Sequence, residues 1–505
     1  MQSTLSHQIS LISGLRHPQN KGFAALSIVT LLFMSGCVST PALPEKHLDA
    51  QQLQQIQADH DHVLQQNQQL NNQTVSQQWW RLFNDPLLVQ LEQQLLEQNL
   101  DLHSAALRII EAQAQLGQAE AALQPRVSLD GGYNRSTLSE NAPLAQLGAY
   151  THSSGLWSIG VKSSWELDLW GHFKQLSQAA QANVEAKYFA QHDLQLSLSA
   201  ELARQYFLLR SVQQQYLLHA EKIAMEQRLL EIAQRKFKYG VVTLEAVAHA
   251  EQQLIRSQSQ QKAHVKQRQL LKNALAQLLG TGPKALDQLF DQAYHYQAPQ
   301  QIPVGLSSHF VQQRADILVA DAELRAAVAQ LGAAQADFYP RVGLSANLGA
   351  QAFQFSDLGD WASSTYGVGP IIHIPIFEGG RLKRNLQVNQ SRQRLAAVQY
   401  QRTVLNAWHE VDNALIEYQY QLQDQRDLSR EYAQKNTVIR IRQKQFDQGV
   451  LDQAQVLNAK KELLEVALLQ SQGQIAQALS IVGLYRALGG GGAQDWYDSL
   501  MQGAD

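Results

Sequence analysis

The sequence predicts a mainly α-helical chain with a membrane β part, built as a duplicated helix–β-hairpin–helix module. Three observations carry this. Residues 112–129, AQAQLGQAEAALQPRVSL, return as residues 327–344, AVAQLGAAQADFYPRVGL, at a spacing of 215. Phe237, Gly240, Val241, Val247, Ala250 and Leu254 then return as Phe446, Gly449, Val450, Val456, Ala459 and Leu463, at a spacing of 209. That period is far too long for a solenoid, so one module is used twice. Proline is scarce, at 12 of 505 residues, and long Ala/Gln/Leu-rich stretches contain none, which favours long helices. Finally, two segments in each half switch to two-residue alternation, the pattern of a strand with unlike faces.

The first element is a processing signal. Arg16 and Lys21 precede an apolar run from Phe23 to Phe33, too short to span a bilayer comfortably. Residues 1–36 read as a signal peptide, and Met34-Ser35-Gly36-Cys37 resembles a bacterial lipobox with Met where Leu is usual. Cys37 is the only cysteine, so no internal disulfide can form. The resemblance makes Cys37 the lipid-attachment residue and mature N-terminus, and Val38 after it favours the outer membrane. The alternative is a cleaved signal with an incidental cysteine.

Residues 37–84 form an N-terminal extended segment, Gln-rich at first and ending in Trp79-Trp80. The first repeat covers 85–300. Asp85 can cap a helix whose first turn accepts Pro86, and Leu88, Leu91, Leu95, Leu102, Leu107, Ile110 and Leu116 keep near-helical spacing until Pro125. A β-hairpin follows at about 126–170. There Val127, Leu129, Gly131 and Tyr133, then Trp157, Ile159, Val161, Trp165, Leu167 and Leu169, alternate with small or polar residues. A helix runs on to about Lys238, roughly 100 Å at 1.5 Å per residue. Leu194, Leu198, Leu202, Tyr206 and Leu209 mark its stripe. Gly240 turns it into a returning helix. The second repeat, 301–488, copies this with a hairpin at about 341–377, a stripe of Leu405, Trp408, Val411, Leu415 and Tyr418, and a tip near Gly449. Four glycines from Gly489 open a C-terminal tail, 489–505, read as flexible.

A soluble sandwich would also alternate, but the strands have about the ten residues of a tilted membrane strand. Four strands cannot close a barrel in lipid, where open edges are not tolerated. A membrane reading therefore requires several copies of the chain.

At this point the residues resemble the TolC family of outer-membrane efflux channels, in its NodT-like lipoprotein branch. The markers are Trp80-x-x-Phe83-x-Asp85-Pro86; Trp165-Glu166-Leu167-Asp168-Leu169-Trp170-Gly171; Arg314-Ala315-Asp316-Ile317 with Leu324; Phe338-Tyr339-Pro340; Phe377-Glu378-Gly379-Gly380-Arg381; and Tyr485-Arg486-Ala487-Leu488-Gly489. Ala315 stands where the family usually has Pro. The resemblance covers nearly all of 37–492. It implies a homotrimer with a shared 12-stranded barrel in the outer membrane of a Gram-negative bacterium and a long α-helical tunnel in the periplasm. Its partners would be a periplasmic adaptor protein, an inner-membrane pump and outer-membrane lipid. It would pass drugs or other small toxic compounds outward.

The resemblance also assigns sites. The tips Gly240-Val241 and Gly449-Val450 match adaptor-docking turns, although a turn alone would account for each glycine equally well. Family acids that ring the aperture fall here on Gln455 and Asn458. Asp452 could supply charge instead, and Lys461 matches a basic position in some relatives; solvated helix residues are the plainer account of both. The expected gate is weakly cation-selective or unselective. Glu166 and Asp168 stand on the polar face of the second strand and could line the barrel lumen.

Nothing points to an enzyme, a cofactor, a metal or a nucleic-acid partner. His60 and His62 lack partners at metal-site spacing, no nucleophile elbow or phosphate loop occurs, and a net charge of −3 comes without a basic patch. Two rivals stand beside drug efflux: a type I protein-secretion channel on the same fold, and a structural envelope protein without a pore.

Overall fold

The computed structural model describes residues 70–498, except positions 72, 74, 150, 291–293, 295, 305–313, 495 and 496. The signal segment and Cys37 lie outside the described residues.

The duplication is visible in element lengths. Before each hairpin stands a 22-residue helix, α2 (Leu100–Ala121) in the first copy and α5 (Ala315–Ala336) in the second. After each stands a 67-residue helix, α3 (His172–Lys238) and α6 (Arg381–Asp447). Each returns as a 35-residue helix, α4 (Leu244–Leu278) and α7 (Gln453–Ala487). Among the described residues only the first copy has the extra helix α1 (Pro86–Gln98). Asp85 caps it as expected, accepting from the Leu87 and Leu88 amides at 3.0 and 3.2 Å. The expected single helix up to Pro125 is instead broken at Asn99. Its side-chain oxygen caps α2 through the Asp101 and Leu102 amides, while its amide nitrogen donates to the Leu278 carbonyl at 2.7 Å.

The chain divides into two compact units. One gathers Ala122–Leu176 and Leu331–Leu386. It holds a four-stranded antiparallel sheet ordered β1 (Arg126–Ser136), β2 (Ser154–Leu167), β3 (Arg341–Ala352), β4 (Ser364–His373). The register aligns apolar rows across the strands: Leu129–Val161–Leu348–Tyr366, and Trp165–Leu344–Pro370. Ser128–Lys162–Asn347–Gly367 runs on the opposite face, where Ile371 is an apolar exception. The loop between β1 and β2 spans 137–153, and that between β3 and β4 spans 353–363. Those loops differ by six residues, which accounts for the shift between the spacings 215 and 209.

The other unit is helical, with a core of aromatic and aliphatic side chains at the level of the N-terminal turns. Trp79 stacks on Tyr485 with centroids 5.8 Å apart, and Phe83 lies 4.7 Å from Phe207. Leu88, Leu91 and Leu95 from α1 join Leu202, Tyr206 and Leu209 from α3 and Val411, Leu415 and Tyr418 from α6. Leu405, expected on that stripe, is exposed; the buried residue is Val404, one position earlier.

The flexible-tail expectation fails at its start. Gly489 to Gly492 all take positive φ, between 53° and 89°. They pack closely: a Cβ on Gly491 would strike the Val75 carbonyl oxygen, and one on Gly490 the Leu196 methyls. Ala493 beyond them is fully buried. The glycines are there because only glycine takes four such turns in so little space.

Candidate functional site at the helical tips and the strand sheet

The two tips are the same turn made twice. The Gly240 amide donates to the Phe237 carbonyl at 2.9 Å and the Val241 amide to the Lys236 carbonyl at 2.8 Å. Gly449 and Val450 repeat this with Phe446 and Gln445 at the same distances. This pair of bonds closes a helix C-terminus on a left-handed residue, and Gly240 and Gly449 supply it at φ 68° and 75°. The side chains left outward are apolar: Val241 and Val450 are equally exposed, at 67% and 68%.

After the turn the copies diverge. Thr243 precedes α4 without a side-chain cap bond. Asp452, its counterpart, begins α7 with a capping box: its carboxylate accepts from the Gln455 amide at 2.9 Å, and the Gln455 side chain accepts from the Asp452 amide at 3.1 Å. The other carboxylate oxygen of Asp452 meets the Lys236 ammonium at 2.5 Å. That ion pair ties the first tip to the second. Lys236, and then the Gln455 amide, hold the Asp452 carboxyl below the usual range. Further along, Lys222 pairs with Glu465 at 3.3 Å, again joining α3 to α7, and Lys435 pairs with Glu462 at 2.9 Å within the second copy. Of the sequence-expected aperture residues, Asp452 and Gln455 are bonded to one another, Asn458 is exposed, and Lys461 is half-buried. Sequence reasoning missed Lys236. Its only signal was a basic run, Arg235, Lys236 and Lys238, ending a long helix.

In the sheet unit, Glu166 lies 3.8 Å from Arg341 at the start of the neighbouring strand. Arg341 also bonds Asp337 at 2.7 Å, and Asp337 lies 3.2 Å from the His172 ring. Asp168 does not stand on the strand's polar face. Strand β2 ends at Leu167, and the Asp168 carboxylate turns back to cap α3, accepting from the Phe173 and Lys174 amides at 3.1 and 2.8 Å. Helix N-terminal amides need such an acceptor, and that requirement decides the side chain's direction. Trp170 donates to the Pro340 carbonyl at 2.6 Å and stacks on Tyr339, tying the two hairpins at their base.

Both faces of the sheet are open in the single chain. The row Leu129, Val161, Leu348, Tyr366 is exposed by 69%, 43%, 65% and 81%. Among the described residues neither edge strand, β1 nor β4, pairs with anything further. No described helix is long and apolar enough to cross a membrane, and no described group of three or more His, Cys, Asp or Glu residues could hold a metal ion.

Comparison with known proteins agrees with this geometry. The family described as outer membrane efflux protein matches residues 91–281 and 306–490. The toluene efflux pump outer membrane protein TtgC of Pseudomonas putida is 30% identical over 446 residues, covering 84% of this chain and 87% of its own. The cation efflux system protein CusC of Escherichia coli O157:H7 is 28% identical over 417 residues, covering 82% and 88%. Among solved structures, the outer membrane protein VceC of Vibrio cholerae superposes with TM-score 0.74 at 26% identity, over 83% of this chain and all of that one. The Campylobacter jejuni CmeC outer membrane channel shares the fold, with TM-score 0.78 at 24% identity over 86% and 92%.

Proposed function

The chain belongs to the outer membrane efflux protein family, and from that premise we propose how its parts make a channel. It is the outer-membrane component of an efflux pump, a transporter and not an enzyme. The observation that carries the reading is the sheet: four strands of 10 to 14 residues, one apolar face, and two unpaired edges. Lipid accepts an apolar face but not an open edge. Three copies would join β4 of one chain to β1 of the next and close twelve strands, with Glu166 inside. Cys37 would carry the lipid anchor, which adds about 0.8 kcal/mol per buried methylene.

The long helices of the three copies would form the periplasmic tunnel, with the tips at its narrow end. Asp452, Gln455, Asn458 and Lys461 would line the aperture. The Lys236–Asp452 ion pair and the Lys222–Glu465 pair would hold α7 against α3 and keep it closed. Gly240-Val241 and Gly449-Val450 would receive a periplasmic adaptor that couples the channel to an inner-membrane pump. The cargo would be drugs or other small toxic compounds, because the relatives' names speak of solvents, antibiotics and cations. Deleting the gene tests this. Growth of the deletion strain should fail at lower doses across a panel of toxic compounds, with the secreted-protein profile unchanged. Unaltered tolerance with loss of a secreted protein would replace drug efflux by polypeptide export.

A further inference from the structure

The two helical hairpins are built alike but differ in one layer of their packing. In the first hairpin Val212 of α3 and Leu271 of α4 are buried in the same apolar core. Seven residues nearer the tip on each helix stand histidines. His219 is buried, His264 is half-buried, and their ring centroids lie 4.8 Å apart. At the spacing of 209 the same two places hold Leu428 and Gly473. There a Cβ added to Gly473 would meet a Leu428 methyl at 3.0 Å, so the same two positions face one another again. One layer is thus built twice, from histidine on histidine and from leucine on glycine. The second version shows that packing does not require an imidazole here.

The surroundings of the histidine layer oppose a positive charge. His219 Nδ1 is sealed from water and has no hydrogen-bond partner among the described residues, so a proton placed there lacks an acceptor. The charges that bear on His219 are His264 across the layer and Lys222 on its own helix, both basic. Lys222, less than one turn away, is held at 3.3 Å by Glu465 of α7. Arg268 on α4 lies over the Tyr216 ring, 6.0 Å from its centroid. Buried Glu226 stands two turns farther along α3, roughly 10 Å away. Burial, and after it His264 and Lys222, lower the His219 pKa, and burial lowers that of His264.

We propose that the histidine layer is an acid-sensitive latch on the aperture: protonated rings part α3 from α4 and release the Lys222–Glu465 tie that holds α7. This rests on the reading that α7 closes a channel at the tips. A histidine open to water titrates near 6.5, so below about that pH the parted hairpin binds more protons than the closed one. Linkage then favours the parted state by up to about tenfold per pH unit for each proton taken up. Only the first hairpin responds, because Leu428 and Gly473 do not titrate. The Lys236–Asp452 pair stays ionised in this range, since its carboxyl is held below the usual value. The change is therefore confined to the histidine layer and the tie beside it.

The test records single channels of the full-length protein in planar bilayers at pH 7.5 and pH 5.5. It compares the wild type with His219→Leu, His264→Gly, which gives the first hairpin the layer of the second. The wild-type open probability should rise at least about fivefold at the lower pH, and that of the variant should not. An equal rise in the variant, or no rise in the wild type, would overturn the latch and leave the channel intact. No conductance from either protein at either pH would sink the channel reading and this inference with it. Hydrogen exchange of the wild-type protein in detergent follows the same step without a substitution. After allowance for the intrinsic effect of pH, amides around His219 and His264 should lose protection at pH 5.5 relative to those around Leu428 and Gly473. Equal protection of the two hairpins at both pH values would overturn the latch.

Discussion

Glu92 is a carboxyl group sealed inside α1's packed face. It is wholly buried. Burial pushes its pKa well above the usual carboxylate value, against a smaller opposing pull from Ser199. A raised folded pKa means a contribution to stability that is complete below the unfolded value and lost as pH rises through the folded one. At neutral pH the group therefore costs stability. Glu92→Gln, neutral at every pH, should raise the melting temperature at pH 7.5 and give no gain near pH 4; an equal effect at both would show that ionisation is not the cause. Gly491→Ala should lose about 2 kcal/mol or more in denaturant unfolding, from a positive φ joined to a clash with Val75. The signs reverse at Asp452. Its depressed pKa keeps the tie to Lys236 above the ordinary aspartate value of about 3.9 and releases it as pH falls through the lower folded value. At this scale the sequence was least legible. Lys236 and Asp452 lie 216 positions apart, and no local pattern announces such a pair.

Elements were far more legible, because helix length follows from the absence of proline and strand faces from alternation. The 67-residue helices and both turns fall where the spacing put them. The misses have local causes. Asn99 breaks a helix because a side chain that caps one helix and bonds the end of another outcompetes continuation. Asp168 leaves the polar face of its strand because a helix start is close enough to claim it. One pair of elements carries a pH dependence of its own. His219 on α3 and His264 on α4 pack with rings 4.8 Å apart, and burial lowers both pKa values, with His264 and Lys222 adding to the effect on His219. A histidine held neutral by the fold loses stability as pH drops below its unfolded value of about 6.5. Thermal stability should therefore fall between pH 7.5 and pH 5, and His219→Gln with His264→Gln should flatten that slope. An unchanged slope would show that the pair does not titrate in this range.

For the whole molecule, the duplication leaves one chain with two membrane hairpins, two helical hairpins and no pore. The open edges of β1 and β4, the exposed apolar rows of the sheet, and exposed Leu107 and Ile110 on α2 belong to surfaces that a single copy does not cover. The alternation of residues foretold that incompleteness, since four strands are too few for a barrel; the count of three came only through family resemblance. The central claim is that copies of this chain enclose a channel held shut at the tips by the Lys236–Asp452 pair. Single-channel recording of the reconstituted protein in planar bilayers tests it most directly. Wild-type protein should give small, rare openings at neutral pH, and Lys236→Ala or Asp452→Ala should give larger, longer ones. Bilayers that contain the inserted protein yet show no conductance steps, for the wild type or for either variant, would contradict it.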